Sequence, residues 1–409
     1  MRPRVTNRLY QTAARLWLTA AAAALLLPPG ARLEWWLPLH LAMAGAVATA
    51  ISGAMQTFAG ALTATPPPPA GLVLAQFALV NGGAAGVIAG MAVGARWLVA
   101  GGGTAFVVAM GLLGWFVLRS RRRALHLRHR LPVAGYLFAC GAVVAGGALG
   151  ALVGSGAVGP ALQGALARAH PVLNVLGFAG GTILATLVTL LPTVLRVRMP
   201  AWHGGTTAIL YATGLVTAAA GAASGSRAVA AAGGAALTAA ALGVGLLVRR
   251  VLATPRRWPA PVAAKHLVAG AGWFLGGTLG LSRALAGGPE AYAAFRPIFL
   301  LALGGGWVLQ TLLGAWLYLL PMARPGHPDE RRRQLAALEV GADVQVAAGN
   351  LGLAALVLRA GGWVPAWAGA AGAGLALGAA AVALAKAWLF APLAEGVRPG
   401  ERELGVWGA

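Results

Sequence analysis

The chain has 409 residues, of which 59% are hydrophobic and only 10% charged, and its formal net charge is +22. A soluble domain carries about 25% charged residues, so a water-soluble fold is excluded. The positive charge is spread over short linkers between apolar runs, where membrane topology and anionic lipid account for it better than a nucleic-acid face, and no nucleic-acid partner is expected.

A membrane-spanning helix needs about 20 apolar residues. Twelve runs approach or exceed that length, near 12–28, 36–62, 70–93, 97–118, 131–154, 170–195, 204–223, 228–248, 262–282, 294–321, 335–358 and 364–391. The first, behind Arg2 to Arg8 and ending at Pro28-Pro29, has the outline of a secretory signal. The many later spans make it an uncleaved first helix. Arginine and lysine crowd every second gap: Arg2 to Arg8, Arg119 to Arg130, Arg196 to Arg198, Arg249 to Lys265, Arg324 to Arg333 and Arg398 to Arg402. The gap at Pro66 to Pro69 carries no charge, and the gaps between hold one or two arginines each. An excess of Lys and Arg in short loops marks the cytoplasmic side. The expectation is an all-α polytopic membrane protein, one transmembrane domain over 1–409, with both termini cytoplasmic. Run length argues against a barrel, whose strands would alternate over about ten residues.

An internal echo accompanies these runs. His170-Pro-Val-Leu-Asn174-Val-Leu-Gly177 leads through Thr182, Thr186 and Thr189 to Leu190-Leu191-Pro192. Arg296-Pro leads through Gly304, Gln310 and Thr311 to Leu319-Leu320-Pro321, and His40 leads through Gly45, Thr49, Gly53 and Thr57 to the Pro66 run. The matching helices are the second, sixth and tenth, which predicts three repeats of four helices.

Few residues can carry chemistry. Cys140 stands alone inside an apolar run, so a disulfide framework or thiolate cluster within the chain is excluded. His40 and His170 fall near the outer ends of their helices, at similar depth. Neutral imidazole ligates copper and haem iron, and ionisable groups inside membrane helices are costly enough to suggest function; the bland alternative is a wet interfacial histidine. Met43, three residues after His40, shares its helical face. Its thioether suits cuprous copper, or it fills the core. His126, His129, His203, His266 and His327 belong to the opposite side and read as solvated or interfacial. In the eleventh run Glu339, Asp343 and Asn350 are spaced to line one face, and Lys386 stands at a depth to pair with Glu339 or Asp343. These four form either a proton or ion path or an ion pair locking the last helices. Asn81, Asn174, Gln56, Gln310 and the threonines read as interhelical glue. Trp35, Trp36, Trp97, Trp202, Trp258, Trp363 and Trp367 read as an interfacial aromatic belt.

The stretch from Ala169-His170-Pro through Thr189-Leu-Leu-Pro192 to Arg196-Val-Arg198-Met199 resembles the sixth helix of bacterial membrane proteins similar to subunit I of the haem-copper oxidases. These include forms fused to cupredoxin modules and haem- and copper-binding proteins of nitric oxide metabolism. The likeness is close over about thirty residues and architectural elsewhere. It implies a plasma-membrane protein with haem and/or copper as cofactor and a cupredoxin or cytochrome as redox partner. By position, His40 matches the second-helix ligand of low-spin haem and His170 the sixth-helix copper ligand. The family's seventh-helix histidine pair is replaced here by Thr206, Thr207 and Tyr211, and its tenth-helix pair by Phe295, Arg296, Pro297 and Phe299. The resemblance therefore implies an oxidoreductase or metal-handling relative, not an ordinary oxygen reductase. The alternatives from other classes are a small-solute or proton transporter and a scaffold without cofactor.

Overall fold

The computed structural model describes residues 3–124, 129–256, 259–323 and 328–389. Among them every regular element is helical. In chain order these are α1 (Pro3–Ala24), α2 (Trp36–Thr63), α3 (Ala70–Val93), α4 (Arg96–Arg122), α5 (Arg130–Ser155) and α6 (Pro160–Leu195). There follow α7 (Gly204–Ser224), α8 (Arg227–Ala253), α9 (Val262–Gly287), α10 (Pro289–Ala323), the pair α11a (Pro328–Glu339) and α11b (Ala342–Ala360), and α12 (Ala366–Leu389). His126, His327 and Trp258, with the arginines from Arg398 onward, lie outside the described residues.

Among the described residues nine helices are long and apolar enough to cross a membrane, or ten if α11a and α11b form one span. The chain is an all-α, multi-pass membrane protein. The twelve runs expected from sequence correspond to twelve helical positions, but α1 and α9 do not meet the apolarity of the rest. At 22 and 26 residues they are long enough for a core of about 30 Å at 1.5 Å per residue. They carry Asn7, Arg8, Gln11 and Arg15 in one case and Lys265, His266 and Arg283 in the other.

Two expected spans need correction. The sixth helix starts at Pro160, ahead of the apolar run at 170, because Pro160 takes the first helical turn where its missing N–H costs nothing. The eleventh is not continuous over 335–358: α11a and α11b meet at 42°. Gly341 adopts the left-handed φ of +67° at the break. Lys386 Nζ donates to the carbonyls of Leu338 and Val340, both at 2.9 Å, satisfying acceptors that the broken helix leaves open.

The helices form three like units, α1–α4, α5–α8 and α9–α12. In each, the third and fourth helices make a tight hairpin. A Cβ added at Gly83, Gly221 or Gly352 would stand 2.6, 2.3 or 2.5 Å from the backbone nitrogen of Phe106, Ala230 or Ala376. Lipid tails give helices no hydrophobic reason to associate, so such close backbone approach through small residues supplies the packing. The ring of units closes where Arg15 of α1, itself buried, donates to the Ala387 carbonyl at 3.1 Å and lies 4.4 Å over the Trp388 ring.

The second helix of each unit, α2, α6 and α10, lies innermost. Their apolar windows are 61, 72 and 56% buried, against 17% for α12. Each of the three opens into wide π turns, at Leu41–Val47, Val172–Gly180 and Leu300–Leu309. The closing bonds reach back five residues: Ala48 N–H to Met43, Gly181 N–H to Leu176 and Gln310 N–H to Gly305. A proline sits at or just before each widening, Pro38, Pro171 and Pro297. Proline offers no N–H and pushes the carbonyl of the preceding turn aside, and a π turn absorbs that displacement. Glycine lets neighbours close on the widened segments. A Cβ on Gly45 would meet Trp17 at 2.7 Å, one on Gly177 would meet Ala142 at 2.6 Å, and one on Gly306 would meet Trp273 at 2.4 Å. The first and third units also share a buried-indole motif. Trp17 Nε1 donates to Asn81 Oδ1 and Trp273 Nε1 to Asn350 Oδ1, each at 2.7 Å.

Candidate functional site

His40 and His170 meet where the π turns begin. Their ring centroids are 6.4 Å apart and their planes differ by 12°. His40 Nδ1 donates to the Trp36 carbonyl at 2.8 Å, and the two rings stack with centroids 4.0 Å apart. His170 Nδ1 donates to the Gly146 carbonyl at 2.8 Å, while Asn174 Nδ2 donates to the carbonyl of His170 itself at 2.8 Å. Both Nδ1 atoms thus carry the proton, and each Nε2 keeps its lone pair. Carbonyl anchoring of one ring nitrogen is how ligand histidines are oriented.

The sequence builds the seat locally. Gly146 and Gly150, one turn apart on α5, leave a bare strip into which His170 and Asn174 fit. A Cβ on Gly150 would lie 2.5 Å from His170 Cε1, and one on Gly146 would lie 2.5 Å from Asn174 Nδ2.

Two protein donors suit only an ion that accepts two ligands or brings the rest of its coordination with it. Among the described residues no group of three or more His, Cys, Asp or Glu is placed to hold a metal. Two imidazoles as the whole donor set suit cuprous copper or haem iron better than zinc, which takes four ligands at structural sites. Met43 is turned toward the third unit, its methyl 3.3 Å from where a Cβ on Gly304 would be.

Below the π turns lies a cavity of about 270 Å³ enclosed mainly by α2, α6 and α10. Its wall repeats the same spacing three times, as Ala50, Ile51, Ala54 and Phe58; Thr182, Ile183, Thr186 and Leu190; and Thr311, Leu312, Ala315 and Leu319. The pattern marks a threefold-like axis, and the lining is aliphatic with few polar groups.

The polar residues of the eleventh position have structural partners. Both Glu339 carboxylate oxygens accept from the Val262 N–H, at 2.9 and 3.0 Å, capping α9. Asp343 pairs with Lys265 at 2.7 Å, not with Lys386. Asn350 accepts from Trp273 and donates to the Val346 carbonyl at 2.7 Å. Of the two partners expected for Lys386, Glu339 lies close enough to act on its charge and Asp343 does not pair with it, while the ammonium's hydrogen bonds go to the two backbone carbonyls that the helix break leaves open.

On α7 Tyr211 donates to the Leu176 carbonyl at 2.5 Å, and Phe299 of α10 is fully buried. Trp36 was read only as part of the interfacial belt, and the Gly146/Gly150 strip was not singled out in the sequence. Their signals are the i,i+4 spacing of Trp36 to His40 and of the two glycines, both short enough to recur by chance. No protein-family model matches the chain, and no curated protein is similar to it.

Proposed function

We propose that this chain is a membrane-embedded redox or metal-handling protein of haem-copper-oxidase-like architecture, in which His40 and His170 would hold copper or haem iron. The observation that carries the reading is the pair itself. Two imidazoles from equivalent helices lie side by side with ring centroids 6.4 Å apart, each held at Nδ1 by a carbonyl. The cationic linkers belong to the cytoplasm of a bacterial plasma membrane, which sets the pair toward the outer leaflet, within reach of a cupredoxin or cytochrome. A bound copper or haem iron would supply one-electron chemistry. The protein's own part is to fix the rings, with Trp36 covering one face of His40 and the glycine strip seating His170, and to surround them with apolar helix. Ordinary oxygen reduction is not proposed, because α7 and α10 offer no further imidazoles.

The deciding experiment is optical and metal analysis of the full chain purified from its native membrane. A Soret band or one copper per chain, lost in both His40→Ala and His170→Ala, is the expected result. Absence of both signals, or their persistence in the two variants, refutes the assignment.

A further inference from the structure

The cavity on the threefold-like axis lies below the imidazole pair and takes no part in holding it. Val47 and Val308 stand at its upper end, where the π turns of α2 and α10 finish. Asn7, Met322 and Ala323 mark its lower end, near the start of α1 and the end of α10. Small side chains open it, since Ala50, Ala54 and Ala315 leave the axis unfilled. Ala54, Phe58, Ile183, Thr186, Leu312 and Ala315 keep part of their surface uncovered although they belong to the innermost helices.

The wall suits hydrocarbon and not water. The hydroxyls of Thr57, Thr182 and Thr186 donate to the carbonyls of Gly53, Phe178 and Thr182 at 3.0, 2.8 and 2.8 Å. Thr311 Oγ1 is buried against α9, 2.6 Å from where a Cβ on Gly270 would be. Gln11 is committed at both ends of its amide, donating to the Ala50 carbonyl at 3.0 Å and to Asn7 Oδ1 at 3.2 Å and accepting from Trp316 Nε1 at 2.7 Å. An apolar void so lined stays dry and takes apolar guests. Asn7, near the lower end, keeps its amide nitrogen free to donate. That end is also positive: Arg8 follows Asn7, Arg196 follows α6, and α1, α2, α6 and the lower half of α10 carry no acidic residue.

Length and volume set the size of the guest. The α2 wall from Val47 to Phe58 rises about 16 Å at about 1.5 Å per residue. A hydrocarbon chain built from bonds of about 1.5 Å advances about 1.3 Å per carbon, so about twelve carbons span that wall. An apolar cavity of about 150 Å³ holds the six carbons of benzene, and the 270 Å³ present here holds about eleven in proportion. The void is walled by α1, α2, α6, α9 and α10, with room for one chain, so a two-chain phospholipid is a poor match.

We propose that the axial cavity binds one free fatty acid of about twelve carbons, its tail along the axis and its carboxylate at the cationic end, accepting from the Asn7 amide.

The test uses the full chain in phosphatidylcholine nanodiscs with radiolabelled laurate as the probe. Saturable binding of one laurate per chain is expected. Dodecanol, which lacks the carboxylate, should bind wild type about tenfold more weakly than laurate, and Asn7→Leu should weaken laurate by a similar factor, as for one lost hydrogen bond to a charged group. Ala54→Phe and Ala315→Phe fill the axis and should abolish saturable binding, whereas Ala371→Phe, exposed on α12, leaves it unchanged. No saturable binding, or equal binding in wild type and both axial variants, overturns the proposal. If the axial variants do not fold, photolabelling of wild type decides. Laurate with a diazirine at the tail should mark residues 47–54 and spare α12. Labels confined to the outer faces of the bundle, or marking of 47–54 by a photoreactive phosphatidylcholine instead, overturn it as well.

Discussion

Replacing Gly150 by alanine tests the imidazole pair without touching either ligand. The new Cβ would stand 2.5 Å from His170 Cε1 and 2.7 Å from Nδ1, where carbon contacts normally settle at about 3.5–4.0 Å. The ring must retreat by about 1 Å from α5. Gly146, which accepts its Nδ1–H at 2.8 Å, is on that same helix, so the bond stretches to about 3.8 Å and is lost. Removing such an outer partner costs about 10–100-fold in metal affinity, or about 1.4–2.8 kcal/mol. The assay is a competition titration of purified protein with a cuprous chelator, beside His170→Ala and Gly141→Ala. The first should abolish binding. The second places its methyl in open space and should leave affinity unaltered. If Gly150→Ala binds copper as tightly as wild type while His170→Ala does not, the glycine strip is not what orients the ring.

Two further substitutions probe the scaffold. Gly233→Ala puts a Cβ 2.2 Å from the Ala218 backbone nitrogen and should destabilise the α7–α8 hairpin by about 1–3 kcal/mol, whereas Gly276→Ala meets nothing within 4 Å and should gain up to about 1 kcal/mol. Thermal unfolding in detergent reads both, and equal signs would contradict the packing described. Asn81→Leu and Asn350→Leu each strand a tryptophan N–H and should cost about 0.6 kcal/mol apiece, at most about 1.7. Because they lie in separate units, the double variant measured by the same unfolding should show their sum.

Much of the architecture is legible in the residues alone, since the lipid core demands apolar runs of fixed length. The Leu-Leu-Pro endings of α6 and α10 expose the repeat because both helices line the same cavity. The spans that escaped their expected limits are those in which polar residues find partners. Pro160 and Gly159 start α6 ahead of its apolar stretch, and Gly341 breaks the eleventh position between Glu339 and Asp343, where the run is most polar. His40 and His170 stood out as rare ionisable groups at matched depth. Their seat did not, because a glycine's role depends on which helix lies opposite. His266 reads as interfacial by position, yet it is 6% exposed; only the placement of α10 and α11b around it reveals an inward-facing ring. Lys386 was expected to meet Glu339 or Asp343 because they lie on adjacent helices; it feels the Glu339 charge, but Asp343 pairs with Lys265, and backbone carbonyls freed by the break take the ammonium's hydrogen bonds.

The prolines that loosen α2, α6 and α10 make the top of each helix an independently indexed segment. A π turn holds one residue more than its α counterpart, and each residue carries the chain about 100° around the axis. Deleting Ala44 from Leu41–Val47 should therefore tighten that stretch to ordinary pitch and swing His40 away from His170, while the cavity wall from Ala50 to Phe58 keeps its place. Length variation at these three sites is a rotary adjustment of whatever the upper half presents, available to the fold without rebuilding its lower half.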